Sequence, residues 1–213
     1  MYLGYANGKW YTPPSSYPFP MACDNFTASV LINFSYSQMD TNPSQKAACI
    51  GVILRNDYLG NNTFVNSSIY PNMEVEICSW WSATLPRSGS IINLTLARTS
   101  YELCTQTATS ADGNNNWPTF VFVGNANLLT VTKLDVMLFV GYIHQNLQSL
   151  TGYCVSGVYF GYRIYTGKGN FIYTSDPQLS ILDLSAVPPM TSMGSFSCPF
   201  ATYNSNQSKC SPS

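Results

Sequence analysis

Charge is what this chain has least of. Lys and Arg number 9 and Asp and Glu 10, so that 9% of the 213 residues are charged, against roughly 25% in ordinary soluble domains. The net charge is −1 and no basic run occurs. A nucleic-acid surface needs a cationic footprint to displace counterions from phosphates, so nucleic acid is excluded as a partner. A single histidine, His144, is present. It would have to serve any Ser-His-Asp triad, and no Gly-x-Ser-x-Gly elbow accompanies it; it is read as a rim histidine. Phosphate loops, dinucleotide fingerprints and calcium loops are absent. The cysteines lack CxxC or CxxH spacing, which argues against zinc and thioredoxin-like chemistry. No cofactor and no metal are expected. The longest apolar run, Val136-Met137-Leu138-Phe139-Val140, is strand-sized and far short of the ~20 residues that span a bilayer, so no membrane contact is expected within the segment. Met1-Tyr2-Leu3-Gly4-Tyr5 has neither the charged nor the apolar region of a signal peptide. The chain therefore reads as a mature segment or an excerpt, with any anchor outside it.

What is present points to export. Six N-x-[ST] sequons occur, at Asn25, Asn33, Asn61, Asn66, Asn93 and Asn206, each a candidate N-glycosylation site. Seven cysteines are spread along the chain, a pattern that reads as disulfides in an oxidising compartment. Connectivity is not deducible from spacing. Cys78–Cys104, across presumed neighbouring strands, and Cys198–Cys210, closing a C-terminal loop, are the favoured pairs. Cys23 and Cys49 are further candidates, and one of the seven must stay odd. An extracellular setting follows.

Residues 1–22 are aromatic and Pro-rich and read as an extended segment laid over a core. After them, runs rich in Val, Ile, Thr, Tyr and Phe are separated by Asn, Gly, Pro and Ser clusters. They cover 28–36, 49–55, 74–81, 91–98, 119–123, 128–143, 153–165, 170–174 and 179–184. Asp112-Gly113-Asn114-Asn115-Asn116 is a turn signal, and Gly167-Lys168-Gly169-Asn170 reads as a hairpin turn between Tyr162–Tyr165 and Phe171–Tyr173. Asn93 alternates with apolar Ile92, Leu94 and Leu96, so it should lie on an outward strand face. No segment shows a capped 3.6-residue period, and helix should be scarce. The expectation is an all-β protein, an antiparallel β-sandwich over 1–184, with 185–213 a peripheral segment or linker.

Of the few acidic residues, Glu74 and Glu76 share one strand face and Glu102 stands apart. Paired glycosidase carboxylates must sit about 5–10 Å apart across a cleft, and nothing in the pattern places them so. No enzyme is expected. The aromatics offer candidates for ligand contact instead: Trp80 and Trp81, which should face opposite sides of a strand, and Trp117, in a polar stretch. All three carry the alternative of simple burial. Binding surfaces should be sought away from the faces carrying Asn33 and Asn93.

Ser29-Val30-Leu31-Ile32-Asn33-Phe34-Ser35, then Ala48-Cys49-Ile50-Gly51-Val52-Ile53, then Val65-Asn66-Ser67-Ser68-Ile69 form a sequon-bearing strand, a Cys-Ile-Gly strand and a second sequon. In that order they resemble the amino-terminal domain of a coronavirus spike attachment subunit of the gammacoronavirus type. Trp117-Pro118-Thr119-Phe120 and Ser156-Gly157-Val158-Tyr159-Phe160 look like further elements of it. The resemblance implies a galectin-like sandwich on the virion surface, within a homotrimeric fusion glycoprotein, binding a host glycan such as sialic acid or a protein receptor. It carries no site residues over. The alternatives are a shielding domain that binds no receptor and a non-viral secreted adhesion module; a secreted hydrolase is disfavoured for want of a nucleophile motif.

Overall fold

A computed structural model of the chain describes residues 4–6, 9–11, 21–23, 28–38, 46–60, 63–64, 70–82, 91–109, 113–125, 130–164 and 171–183. Fourteen strands and one helix occupy them. In chain order these are β1 (Gly4–Ala6), β2 (Lys9–Tyr11), β3 (Met21–Ala22), β4 (Ala28–Gln38), β5 (Lys46–Arg55), β6 (Tyr58–Gly60) and β7 (Thr63–Phe64). There follow β8 (Met73–Ser82), β9 (Ile92–Leu96), β10 (Thr99–Thr109), β11 (Asn116–Gly124), β12 (Thr130–Asp135), α1 (Val136–Asn146), β13 (Cys154–Ile164) and β14 (Phe171–Asp183). A seven-stranded sheet runs β3-β13-β5-β8-β11-β10-β9, a three-stranded sheet runs β12-β4-β14, and β1-β2 and β6-β7 form two small ribbons. The all-β sandwich expected from the strand pattern is what forms. One pairing among the described strands departs from antiparallel: β8 and β11 run parallel, because the meander β9-β10-β11 folds back beside the strand it left.

The core lies between one face of the large sheet and the layer made by β4 and α1. Val30, Ile32 and Phe34 of β4 meet Ile50, Val52 and Leu54 of β5 and Val75 and Ile77 of β8 in one buried cluster. Phe34 packs edge-on against Phe160 of β13, centroids 5.6 Å apart, joining the two sheets. Phe139 of α1 does the same with Phe122 at 5.0 Å and Tyr101 at 5.1 Å, geometry that favours the ring quadrupoles.

Three expectations are corrected here. Residues 128–143 were expected to be one strand, but the chain leaves β12 at Asp135 and becomes helical. Asp135 is the N-cap: its Oδ1 accepts from the backbone N–H of Met137 at 3.0 Å and also of Val30 at 3.1 Å. The apolar run is buried at Val136, Met137, Phe139, Val140 and Ile143, a helical spacing that its uniform hydrophobicity hides. The predicted hairpin between β13 and β14 does not exist. β13 pairs with β5 in the large sheet and β14 with β4 in the small one; the turn residues 167–170 themselves lie outside the described residues. The two short strands expected at 170–174 and 179–184 are one strand, β14, whose register shifts twice around Pro177; an edge position tolerates a proline that a central strand would not. Residues 1–22, read as an extended segment, contain β1, β2 and β3. The 185–213 segment lies outside the described residues.

Candidate active site

Strand alternation sends every second residue of the large sheet away from the core. On β8, Met73, Val75 and Ile77 face α1 and β4, which leaves Glu74, Glu76 and Cys78 on the far face. Register partners extend that face sideways. Gly51 of β5, Glu76 and Val121 of β11 lie in one row, followed by Cys104 of β10. Thr119 lies beside Glu74 in the next row, and Cys49, Cys78, Val123 and Glu102 form the row on the other side. A register shift between Ala48 and Cys49 brings Trp81 opposite Ala47, where it packs half-buried on a small apolar cluster that includes Cys104, Val121 and Val123.

Two glutamates at the heart of this face are almost wholly out of water, Glu74 at 3% and Glu76 at 0% exposure. Buried carboxyls must find donors. Glu74 Oε2 accepts from the indole Nε1–H of Trp117 at 2.8 Å, and Trp117 itself stacks on Tyr70 with centroids 5.7 Å apart. Glu74 Oε1 accepts from the Tyr159 hydroxyl, and Glu76 Oε1 lies 3.5 Å from that same oxygen. Two carboxyls, one phenol and one indole thus converge. The Thr119 hydroxyl, fully buried beside Glu74, has no hydrogen-bond partner among the described residues. At the end of the face, Arg55 clasps Asp57 through Nε at 2.8 Å and Nη2 at 2.6 Å. Burial, with Asp57 adding to it and Arg55 opposing, pushes the neighbouring Cys154 thiol up to about 11. A thiol so protonated is no nucleophile at neutral pH.

The sequence candidates fall out as follows. Cys78 is bridged to Cys49, not to Cys104. β11 stands between β8 and β10, so Cys104 is two strands away, about 9.6 Å, beyond disulfide reach. Cys23 is buried in the main core and Cys104 in the smaller cluster. Cys198 and Cys210 lie outside the described residues. Cys49, Cys78 and Glu76 bring possible metal-ligand atoms within 4.8 Å of one another, but the two sulfurs are bonded to each other and offer no thiolate. Of the tryptophans, Trp117 reaches the carboxyl pair and Trp81 lines the same face farther along; Trp80 is a β8 residue opposite Ala48. His144 is a structural residue: its Nδ1 accepts from the Leu150 N–H at 2.9 Å after the last turn of α1. Asn33 uses its Oδ1 to accept from the Lys133 N–H at 2.7 Å, and Asn93 is exposed. Its register with Glu102 puts it at the edge of the carboxyl face, so that face is not free of sequons as expected. Asn25, Asn61, Asn66 and Asn206 lie outside the described residues.

Glu74 and Glu76 stand on one face of a single strand, not opposed across a cleft as paired glycosidase carboxylates are expected to be. Their signal was nonetheless present: two of only 10 acidic residues sit one residue apart in an otherwise apolar strand. Gly51 and Tyr159 carried no such signal.

No protein-family model and no curated protein sequence matches the chain. Solved structures do. A native family 12 xyloglucanase from Bacillus licheniformis is 21% identical, with a TM-score of 0.65 over 84% of this chain and 72% of its own. The same family's xyloglucanase from Bacillus licheniformis in complex with ligand gives 20%, 0.64, 79% and 68%. Endoglucanase Cel12A from Rhodothermus marinus gives 15%, 0.62, 80% and 69%. These matches overturn the likeness to a coronavirus spike domain, which rested on short stretches rich in residues common to all β-sheets. With it go the virion surface, the homotrimer, the host receptor and the expectation of no enzyme. Neither a shielding domain nor an adhesion module stands among the structures named. The Cys49–Cys78 bridge fits the extracellular setting. At such identities the likeness fixes architecture: the chain has the β-sandwich fold of family 12 glycoside hydrolases.

Proposed function

We propose that the chain is a secreted glycoside hydrolase that cleaves a β-linked glucan, with Glu74 and Glu76 as its carboxyl pair. The observation that carries this is the convergence of two buried glutamates on one side-chain oxygen, in a fold whose solved neighbours are a xyloglucanase and endoglucanases. Both carboxyls lie within 3.5 Å of the Tyr159 oxygen, so their nearer oxygens are at most about 7 Å apart. That suits the short separation of about 5–5.5 Å of retaining enzymes better than the 6.5–9.5 Å of inverting ones. Glu74, which accepts from Trp117 and Tyr159, is assigned as the nucleophile; Glu76 is assigned as the acid that protonates the leaving oxygen and, as its conjugate base, activates the water that completes hydrolysis. Both carboxyls are buried, so groups lying over them must move for a sugar to enter.

The test is release of reducing ends from xyloglucan and from β-1,4-glucan. Glu74→Gln and Glu76→Gln should each lower the rate at least about 100-fold, and proton NMR of the first product should show the substrate's anomeric configuration. A wild type that releases no more than the Glu74→Gln/Glu76→Gln double variant overturns the reading. The unit is taken to be 1–184, and Asn33 and Asn93 to carry glycans; a mobility shift on enzymatic deglycosylation that Asn33→Gln and Asn93→Gln diminish would bear out the latter.

A further inference from the structure

Five polar or charged side chains are buried among the described residues: Arg55, Glu74, Glu76, Ser79 and Thr119. The first four engage partners. The Thr119 hydroxyl, at 0% exposure, has none among the described residues. A buried hydroxyl left unpaired is destabilising, and its strand provides no relief. β11 is flanked by β8 and β10, so neither a sheet edge nor solvent lies beside it. Val121 and Val123 follow on the same face and are buried in its apolar cluster; a valine at 119 would have threonine's shape without the unpaired oxygen. Thr119 is also the register partner of Glu74 across the parallel β8–β11 pair, one strand spacing of about 4.8 Å away. Trp117, two residues earlier on that face, donates to the same glutamate.

Resting on the carboxyl-pair reading above, we infer that Thr119 is a substrate-binding residue. Its hydroxyl is kept for the 2-hydroxyl of the sugar unit that Glu74 attacks, once the groups over the pair have moved aside. The attacked atom is the anomeric carbon, whose ring neighbours are the ring oxygen and the carbon bearing the 2-hydroxyl. The ring oxygen gains positive charge in the oxocarbenium-like transition state, so a donor aimed at it would oppose the reaction. The 2-hydroxyl both donates and accepts, and its hydrogen bonds strengthen in that transition state. A sugar with this hydroxyl completes a pairing that the free protein lacks. One without it leaves Thr119 unpaired, and a site built to bond a substrate hydroxyl discriminates against such an analogue.

The test crosses Thr119→Val with an aryl β-cellobioside and with its analogue lacking the 2-hydroxyl on the glucosyl unit that is cleaved. Thr119→Val should lower kcat/KM on the hydroxylated substrate about tenfold and on the deoxy analogue less than about twofold. The same variant should raise the melting temperature by about 2–4 °C, because a methyl replaces an unpaired hydroxyl. Thr119→Ser keeps the hydroxyl and should keep the wild-type discrimination between the two substrates. An equal loss on both substrates, or a loss on neither, overturns the inference and leaves the hydrolase reading standing. A lower melting temperature for Thr119→Val overturns it too, since the hydroxyl would then be bonded within the protein. If the wild type does not cleave the cellobioside, calorimetric titration with cellotetraose decides the inference. Weaker binding by Thr119→Val than by the wild type supports it; equal binding, or none by the wild type, overturns it. Release of reducing ends from glucan judges the hydrolase reading separately.

Discussion

Asp135 carries two jobs on one oxygen, and replacing it separates charge from hydrogen bonding. Its Oδ1 accepts from the Met137 N–H that opens α1 and from the Val30 N–H of β4, so one atom pins the helix to the strand it packs on. Asp135→Ala removes the cap, a loss of about 1 kcal/mol, and strands a part-buried backbone donor, about 1–3 kcal/mol more. The expected destabilisation is about 2–4 kcal/mol. Asp135→Asn keeps an Oδ1 for both donors and should stay within about 1 kcal/mol of the wild type at pH 7. The two variants also differ in pH dependence. Burial raises the Asp135 pKa above 3.8, with hydrogen bonds from Ser29, Met137 and Val30 opposing it. The folded protein therefore binds the proton more tightly than the unfolded chain. As pH rises from about 3.8 through the raised folded value, this group's contribution to stability falls. Asparagine has no such term. Urea unfolding followed by circular dichroism from pH 4 to 8 should show the wild type losing ground to Asp135→Asn across that window. A wild-type advantage that grows with pH, or an asparagine variant as unstable as the alanine one, would refute the reasoning.

His144→Ala should destabilise by about 1–2 kcal/mol in the same assay, because the Leu150 N–H bonded to Nδ1 loses its acceptor; glucan hydrolysis per folded molecule should not change, and a specific loss would restore a catalytic histidine. The β9–β10 turn holds Ala97 at φ 48° and Arg98 at φ 67°, a left-handed geometry that suits Asn-Gly. Replacing the pair with Asn-Gly should stabilise by about 1 kcal/mol, read as a higher melting temperature, and a lower one would contradict the turn. The Cys154 thiol, pushed up to about 11, should resist iodoacetamide at pH 8 in the folded protein and react after denaturation; rapid native labelling at that residue would count against its burial.

Much of the strand pattern was legible because it is local. The 49–55 and 74–81 runs fall within β5 and β8 and the 119–123 run within β11, since β-branched and aromatic residues declare themselves within a few positions. The Asn-rich turn before β11 contains Gly113 at φ 75°, as its composition foretold. α1 was missed because a uniformly apolar run suits a buried strand as well as a buried helix; Asp135, a capping residue just ahead of it, was the signal available. The Trp117 indole donates to Glu74, and nothing local said which carboxyl it would meet. The coronavirus likeness failed for the converse reason, as short β-rich stretches recur across unrelated sandwiches.

The sequence by itself determined a sparsely charged, disulfide-competent chain of alternating strands. Tertiary structure alone decided which strands became neighbours. That order put Cys49 rather than Cys104 beside Cys78, and it laid Tyr159 across Gly51 to meet glutamates 85 and 83 positions away in sequence. Alternation states which residues share a face of one strand, whereas pairing across such loops is settled by packing of the whole core, a non-local free energy that no window of sequence contains.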